Sequence, residues 1–335
     1  MKRAIRIFLL SGTLLNTTAL FAEETPAFEL KRFNFYFEND LFDKTDKNYT
    51  SGLKFSAIYQ VDTNAYRYLE MPFIHDKTKN HFFTLLIGQE IYTPRDTDSA
   101  IPNPEDQPYA GWLYAGFALQ QANSREADSL ELQLGVVGPA ALGEQTQDFT
   151  HTLTGSKSSN GWDHQLHNEP GIVLAYEHRW RYLSDALFSG LDADAIPYAG
   201  FALGNVRTYL NSGAAVRIGW NIPHDFGNTV MHPAQETGLP AAGKDAERYK
   251  PQWAFYLLSA FDLNLAARNI FLDGNTFKES PSVPNREYLM AEFTAGFSIN
   301  YGHLDLSFLN TYNTKNYPLN SRGYGYGSLV VSYVY

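Results

Sequence analysis

The feature that most restricts the fold of this sequence is a strict alternation of apolar and polar residues. Between residues 32 and 40, Phe33, Phe35 and Phe37 take every second position, with Asn34, Tyr36 and Glu38 between them. Segments 53–59, 113–119 and 130–136 alternate in the same way. Successive side chains of a β-strand point to opposite faces, whereas a helix repeats about every 3.6 residues, so this pattern predicts strands.

Alternation and the turn residues between the alternating segments predict twelve strands. They cover residues 31–39, 50–61, 82–92, 111–122, 129–138, 170–182, 196–206, 213–222, 252–273, 285–299, 302–313 and 324–335. An even number of strands, many of them about ten residues long, is typical of barrels that cross a bilayer at a tilt. The last segment ends on Tyr335, as terminal strands of bacterial outer-membrane barrels end on an aromatic residue. We therefore predict an all-β fold, a transmembrane antiparallel β-barrel of outer-membrane type.

The composition narrows the function classes. The chain has 335 residues, no cysteine, a net charge of -10, and 23 Phe, 22 Tyr and 5 Trp. No interior run approaches about 18 apolar residues, the length of a membrane helix. The negative charge argues against a nucleic-acid partner, and the lack of cysteine excludes a thiol nucleophile. A pair of soluble β-sandwiches remains an alternative, because it would bury the Phe and Leu faces against each other.

The first residues are expected to be a targeting segment rather than part of the fold. Lys2, Arg3 and Arg6 precede an apolar run, and Ala22 precedes two acidic residues. This pattern is typical of a secretory signal peptide, here residues 1–22, and leaves 23–335 as a single barrel domain. A disordered or membrane-anchoring N-terminus is the alternative.

The topology predicts which loops face outwards. With both termini in the periplasm, the outward loops are 40–49, 93–110, 139–169, 207–212, 274–284 and 314–323. Segments 62–81 and 223–251 fall where short periplasmic turns are expected. They are long for such turns, so we expect short helices or plugs there.

Unusual polar residues gather at the outward ends of the strands in three blocks. The blocks are 37–40 with 48–53, 88–94 with 106–114, and 135–139 with 143–151 and 161–166. A carboxylate among amide oxygens suits a hard cation such as calcium, and an imidazole suits a general base. A cation beside a carbonyl stabilises the oxyanion of ester hydrolysis, so His151 could deprotonate a water directly.

The plain alternative gives these residues structural roles only. Turn residues dominate loops, so Asn39 and Asp40 would form a turn, Thr50 would begin a strand, and His151 would be a loop residue. His164 and His167 could resemble a metal pair, but they lack a third ligand, so the pattern favours two solvated loop residues over a metal site.

Taken together, the blocks resemble the outer-membrane lipid A 3'-O-deacylase family, which removes the acyloxyacyl group at the lipid A 3' position. The resemblance implies a twelve-stranded barrel and a calcium-dependent activity. The family's Asn-Asp pair matches Asn39 and Asp40, its Tyr-Thr-x-Gly threonine matches Thr50, and its Gln-x3-His pair matches Gln147 and His151. By resemblance His151 is the water-activating base, Asn39 and Asp40 hold or place the cation, and Thr50 and Gln147 position water or substrate.

Motifs carry this resemblance over about residues 31–170; beyond them it rests on strand spacing and the closing aromatic strand. The sequence departs from the family pattern in the loop 93–110, where a lysine is expected to meet lipid A phosphate. Here the loop contains one cation, Arg95, and four acidic residues, Asp96, Asp98, Glu105 and Asp106. In addition, Lys157 stands where an acidic residue is expected. Asn39 also falls in phase with the lipid-facing Phe37, so either the strand bulges or Asn39 lies beyond the barrel wall.

The predicted function is that of a bacterial outer-membrane hydrolase. It would cleave a carboxylic ester of lipid A or lipopolysaccharide, with calcium as cofactor. A non-catalytic channel or structural barrel of the same fold is the alternative. Large inward side chains such as Trp112 and Tyr114 would favour the enzyme, whereas an open polar lumen would favour the channel.

Overall fold

The computed structural model describes residues 27–43, 48–74, 76, 78–155, 157–188, 190–241 and 253–335. The signal peptide predicted for residues 1–22 lies outside the described residues.

Antiparallel strands make up most of the described chain. They are β1 Phe28–Asn39, β2 Asn48–Val61, β3 Asn80–Thr93, β4 Ala110–Ala122, β5 Glu126–Val137, β6 Glu169–Trp180, β7 Tyr182–Phe188, β8 Leu191–Gly204, β9 Arg207–Trp220, β10 Trp253–Asn269, β11 Leu289–Tyr301, β12 Leu304–Asn313 and β13 Tyr324–Val334. Between them, within the described residues, lie two α-helices, α1 Gly143–Thr154 and α2 Ile270–Asp273, and four 3-10 turns, Asp40–Asp43, Arg67–Leu69, Pro139–Ala141 and Trp162–His164. Within the described residues, none of the helices is long and apolar enough to cross a membrane.

The strands close into one barrel of twelve. Each strand pairs with its sequence neighbours, β1 pairs with β13, and β6 pairs with β8. Strand β7 continues β6 beyond Arg181 in the same register: Arg179 lies opposite Tyr198 and Tyr182 opposite Ala195. The predicted twelve-stranded antiparallel barrel is therefore confirmed, and the sandwich alternative is wrong.

All twelve predicted strands are present, with ends that differ by a few residues. The predicted outward loop 207–212 is wrong, because these residues lie in β9 and the turn is residues 205–206. Asn211 looks like a turn residue in the sequence, but it faces the lumen, where its amide donates to Glu177 and Asp262. The strand predicted for 252–273 ends at Asn269, and its last four residues form α2.

The two faces of the wall differ as a membrane barrel requires. Outward side chains such as Phe55 and Ile87 are exposed, at 44% and 51%. Inward side chains such as Arg32, Asn34 and Lys54 are polar and buried. Apolar residues facing out and polar residues facing in are the pattern of strands in lipid.

A segment from the terminus end of the barrel folds back into the lumen. We call residues 223–241 the lumen plug. Lys54 Nζ donates to Glu236 at 2.9 Å, Arg217 pairs with Asp225, and the Met231 N–H donates to Glu38. This agrees with the plug expected from 223–251, as far as that segment is described, and a 3-10 turn at Arg67–Leu69 agrees with a short helix in 62–81.

Candidate active site

A row of four residues crosses the outward face of the wall at the loop end, the end that carries residues 94–109 and 138–168. Asn39 lies opposite Ser51, Ser51 opposite Ile91, and Ile91 opposite Gly111. All four follow the phase of the lipid-facing side chains on their strands. Yet Asn39 is 3% and Ile91 1% exposed, so this end of the outward face is covered by protein rather than by lipid.

Helix α1 and the 3-10 turn before it cover the β3 and β4 part of this row. Gln89 Nε2 donates to the carbonyl of Ala141 at 2.6 Å. Glycine permits the close approach: a Cβ on Gly111 would lie 3.0 Å from Ala141 Cβ and 3.2 Å from Gly143 N. The helix therefore packs on the lipid-facing side of the wall and not over the lumen.

The buried stripe of α1 carries two of the candidate residues. Gly143, Gln147 and His151 are spaced by four, which places them on one helix face, and all three are buried. Phe149 on the opposite side is exposed. The expectation that His151 is a loop residue is wrong, because it lies on a helix. The Gln-x3-His spacing is the signal for that helix face, but the stripe is not apolar, so hydrophobic periodicity does not detect it.

Trp162 joins Gln147 to the wall. Its indole Nε1 donates to Gln147 Oε1 at 2.8 Å. Its ring packs on Tyr109, with centroids 4.8 Å apart, and both belong to a buried cluster with Ile91. This cluster holds Gln147 close to Ile91, the residue that β3 contributes to the row.

Asn39 and Asp40 lie where β1 ends. Asn39 is the last residue of β1, and its Oδ1 accepts the Leu41 N–H at 2.8 Å, which starts the 3-10 turn Asp40–Asp43. The register of β1 against β2 runs unbroken from Arg32 to Asn39, and Asn39 also pairs with Gly327 of β13. Both expected alternatives, a bulge at Asn39 and a position beyond the barrel wall, are therefore wrong. Asp40 is fully buried.

Thr50 occupies a bulge in β2. The register between β2 and β3 shifts between Tyr49 and Ser51, which leaves Thr50 as the extra residue. Its hydroxyl lies 2.6 Å from the hydroxyl of Thr93, the last residue of β3. Because α1 packs on β3 and β4, β3 connects Thr50 to the helix that carries Gln147 and His151.

A second polar network, which the sequence did not indicate, braces the start of β2. Asn48 Nδ2 donates to Gln107 Oε1 at 3.2 Å and to the Tyr317 hydroxyl at 3.0 Å. The Tyr317 hydroxyl in turn donates to Asp106. Burial, together with this hydrogen bond to Asp106, raises the pKa of Tyr317, so the phenol remains a donor at physiological pH. The network ties loops 94–109 and 314–323 to the strand two residues before Thr50.

Arg95, the cation of the loop 93–110, already uses part of its guanidinium in a hydrogen bond within the protein. Its Nη1 donates to the carbonyl of Leu319 at 2.6 Å, across the gap between two loops. Lys157 is exposed and lies 3.6 Å from Asp98. His164 is exposed at the end of a 3-10 turn, and the backbone of His167 bonds to Asn275.

The donor set near Asp40 suits a hard cation only in part. Within the described residues, no group of three or more His, Asp or Glu side chains could hold a metal. Asp40 offers a buried carboxylate and Asn39 an amide oxygen that already accepts one hydrogen bond. Oxygen donors of this kind fit calcium, which takes its remaining ligands from backbone carbonyls and water.

A protein-family model described as "Outer membrane protein LpxR" matches residues 7–335. This chain belongs to the LpxR family. The LpxR-family barrel is similar to the structure of LpxR from Salmonella typhimurium, with 19% identity and a TM-score of 0.73 over 91% of this chain and 100% of that one. It also aligns with the β-domain of the Bordetella autotransporter BrkA, at 10% identity and a TM-score of 0.43 over 92% and 99% of the two chains. No curated protein matches the sequence.

Membership in the LpxR family makes this chain an outer-membrane protein, as the sequence predicted. The match to the Salmonella LpxR structure agrees with the closed twelve-stranded fold.

Proposed function

We propose that this LpxR-family barrel is a calcium-dependent ester hydrolase that removes the 3'-linked acyloxyacyl group of lipid A. The observation that carries the proposal is the covered row on the outward face, whose β3 and β4 part lies beneath α1. An acyl chain in the membrane can reach this face without entering the lumen. All five candidate residues are buried at the same end of the barrel.

A channel function is less well supported. The lumen plug occupies the barrel interior, and Trp112 and Tyr114 point inwards and are buried. A cavity of about 140 Å³ remains in the lumen, lined among others by Glu38, Arg207 and Glu292. None of the five candidate residues lines it, so the proposed chemistry does not use the lumen.

In the proposed reaction the His151 imidazole takes a proton from a water as the water oxygen attacks the ester carbonyl carbon. The carbonyl electron pair moves to oxygen and forms an oxyanion. When that pair returns, the bond to the lipid A oxygen breaks, and the leaving oxygen takes the proton from the imidazolium. The products are a fatty acid and a free hydroxyl on lipid A.

The other residues bind and orient. Asp40 and Asn39 would hold the calcium, which when bound supplies positive charge next to the carbonyl oxygen. The Thr50 hydroxyl, held by Thr93, and the Gln147 amide would position water or substrate.

Mass spectrometry of lipid A tests the proposal. Cells that express the wild-type protein should contain lipid A lighter by one acyloxyacyl group, and cells with empty vector or His151→Ala should not. Unchanged lipid A in cells with a correctly assembled wild-type barrel, in the presence of calcium, would exclude this substrate. Cleavage of another ester lipid by that protein would keep the hydrolase and change its substrate.

A further inference from the structure

One hydrogen bond fixes the direction of the Gln147 amide. The indole N–H of Trp162 can only donate, and the amide nitrogen of glutamine cannot accept. At 2.8 Å from Trp162 Nε1, the Gln147 atom must therefore be Oε1. The Nε2 group consequently points away from Trp162.

That Nε2 group is a buried hydrogen-bond donor. Gln147 is 3% exposed, and Nε2 has no hydrogen-bond partner within the described residues. Native proteins rarely leave a buried donor unsatisfied, and the exceptions are often functional. Gln147 lies one helical turn before His151 on the same buried face of α1, next to the proposed base.

The Trp162 ring has little room to turn away from the Gln147 amide. It packs against Tyr109, and a Cβ added to Gly143 would lie 2.9 Å from the Trp162 ring. With the ring confined on both sides, its N–H stays aimed at Gln147.

We propose that Trp162 is a positioning residue that holds Gln147 so that Nε2 donates to the carbonyl oxygen of the scissile ester. This inference rests on the proposed function and deepens it. The donor becomes more effective as negative charge develops on that oxygen, so it acts mainly on kcat and little on KM. Trp162 acts only through Gln147.

Two variants and a matched control test the inference. Gln147→Glu keeps an acceptor for Trp162 but removes the donor, and it should lower kcat about 10²–10³-fold, the usual effect of losing one such donor. Trp162→Phe keeps the ring but frees the amide to turn. It should lower kcat about three- to tenfold, the change in rate that matches the net free energy of one ordinary hydrogen bond. The double variant should be no slower than Gln147→Glu alone.

Trp112→Phe is the control, because Trp112 is also buried but its Nε1 has no partner within the described chain. Its kcat should equal that of the wild type. Each variant is first checked for the gel shift on heating that marks an assembled barrel. Wild-type kcat in Gln147→Glu, a change confined to KM, or a double variant slower by the product of the single effects would overturn the inference while the hydrolase stands.

A spectroscopic measurement separates this inference from the proposed function. The chain has 5 Trp, hence five indole N–H signals in a nitrogen-15 spectrum of the barrel in micelles. Gln147→Leu should shift the one signal that Trp162→Phe removes, and an unmoved signal would overturn the positioning role. A wild-type barrel that cleaves no ester lipid would instead overturn the proposed function, and with it the donor role of Nε2.

Discussion

Asn39 lies directly opposite Ser51 on the outward face of the barrel, in the same phase as the lipid-facing phenylalanines, and both side chains are buried. By sequence phase alone, this polar candidate residue would lie in lipid. In the structure the protein itself covers that end of the face. Asn39 and Ser51 therefore belong to the part of the outward wall that protein covers.

Replacement of the proposed base tests the mechanism. His151→Ala should lower ester hydrolysis by about 10²–10⁴-fold, the usual contribution of general-base catalysis, because the group that takes the proton from water is then lost. Fatty-acid release from purified lipid A measures the effect. His164→Ala, which removes an exposed histidine of the same connection between β5 and β6, should be as active as the wild type. Equal rates for His151→Ala and the wild type would show that His151 is not the base.

Loss of the proposed cation ligand should resemble loss of calcium. Asp40→Ala should lower activity, and added calcium should restore it only in part, because other ligands remain. A chelator should inactivate the wild type, and calcium should reverse this. Asp148→Ala, on the exposed side of α1, should keep the wild-type calcium dependence. An enzyme fully active in excess chelator would exclude the calcium role.

The close packing of α1 against the barrel wall should depend on Gly111, the last residue of the row formed with Asn39, Ser51 and Ile91. Gly111→Val places side-chain atoms where Ala141 and Gly143 lie, so α1 must move away from the wall and activity should fall. Ala115→Val, on the exposed outward face of the same strand, should have no such effect. Both barrels should still show the gel shift on heating. Full activity of Gly111→Val would mean that the helix position is not needed for hydrolysis.

The lumen plug should stabilise the barrel through buried charge pairs. Glu236→Ala leaves the Lys54 ammonium buried without its carboxylate, which should lower the free energy of unfolding by about 3–5 kcal/mol. The comparison is Lys315→Ala, which breaks an exposed pair with Glu287 and should change it by at most about 1 kcal/mol. The temperature at which the folded gel band disappears measures both. Equal temperatures would show that the plug pair does not stabilise the barrel.

Acidic residues in the loop 93–110 should weaken binding of a lipid with two phosphates. Asp98→Asn removes one negative charge and should lower KM for bis-phosphorylated lipid A about two- to fivefold, less at high salt. Asp62→Asn, an exposed change at the terminus end, should leave KM unchanged. If KM is the same for lipid A with one and two phosphates, the loop charge does not select the substrate.

The strands and their two faces follow from the amino-acid sequence alone. Alternation such as that of Phe33, Phe35 and Phe37 is a local property with a period of two, and it fixes which side meets lipid wherever the strand lies. The alternation does not identify strand residues such as Asn211, which resembles a turn residue in the sequence because it faces a polar lumen. The five candidate residues came from motif resemblance.

The way in which these parts meet depends on contacts between distant segments of the folded chain. The row of Asn39, Ser51, Ile91 and Gly111 exists because strand register aligns residues far apart in the chain. The buried face of α1 contains Gly143, Gln147 and His151, so it has no hydrophobic periodicity. The position of the helix is instead set by its packing on β3 and β4. The lumen plug is fixed by partners such as Lys54, 182 positions before Glu236. Such contacts depend on closure of the barrel, which no local pattern specifies.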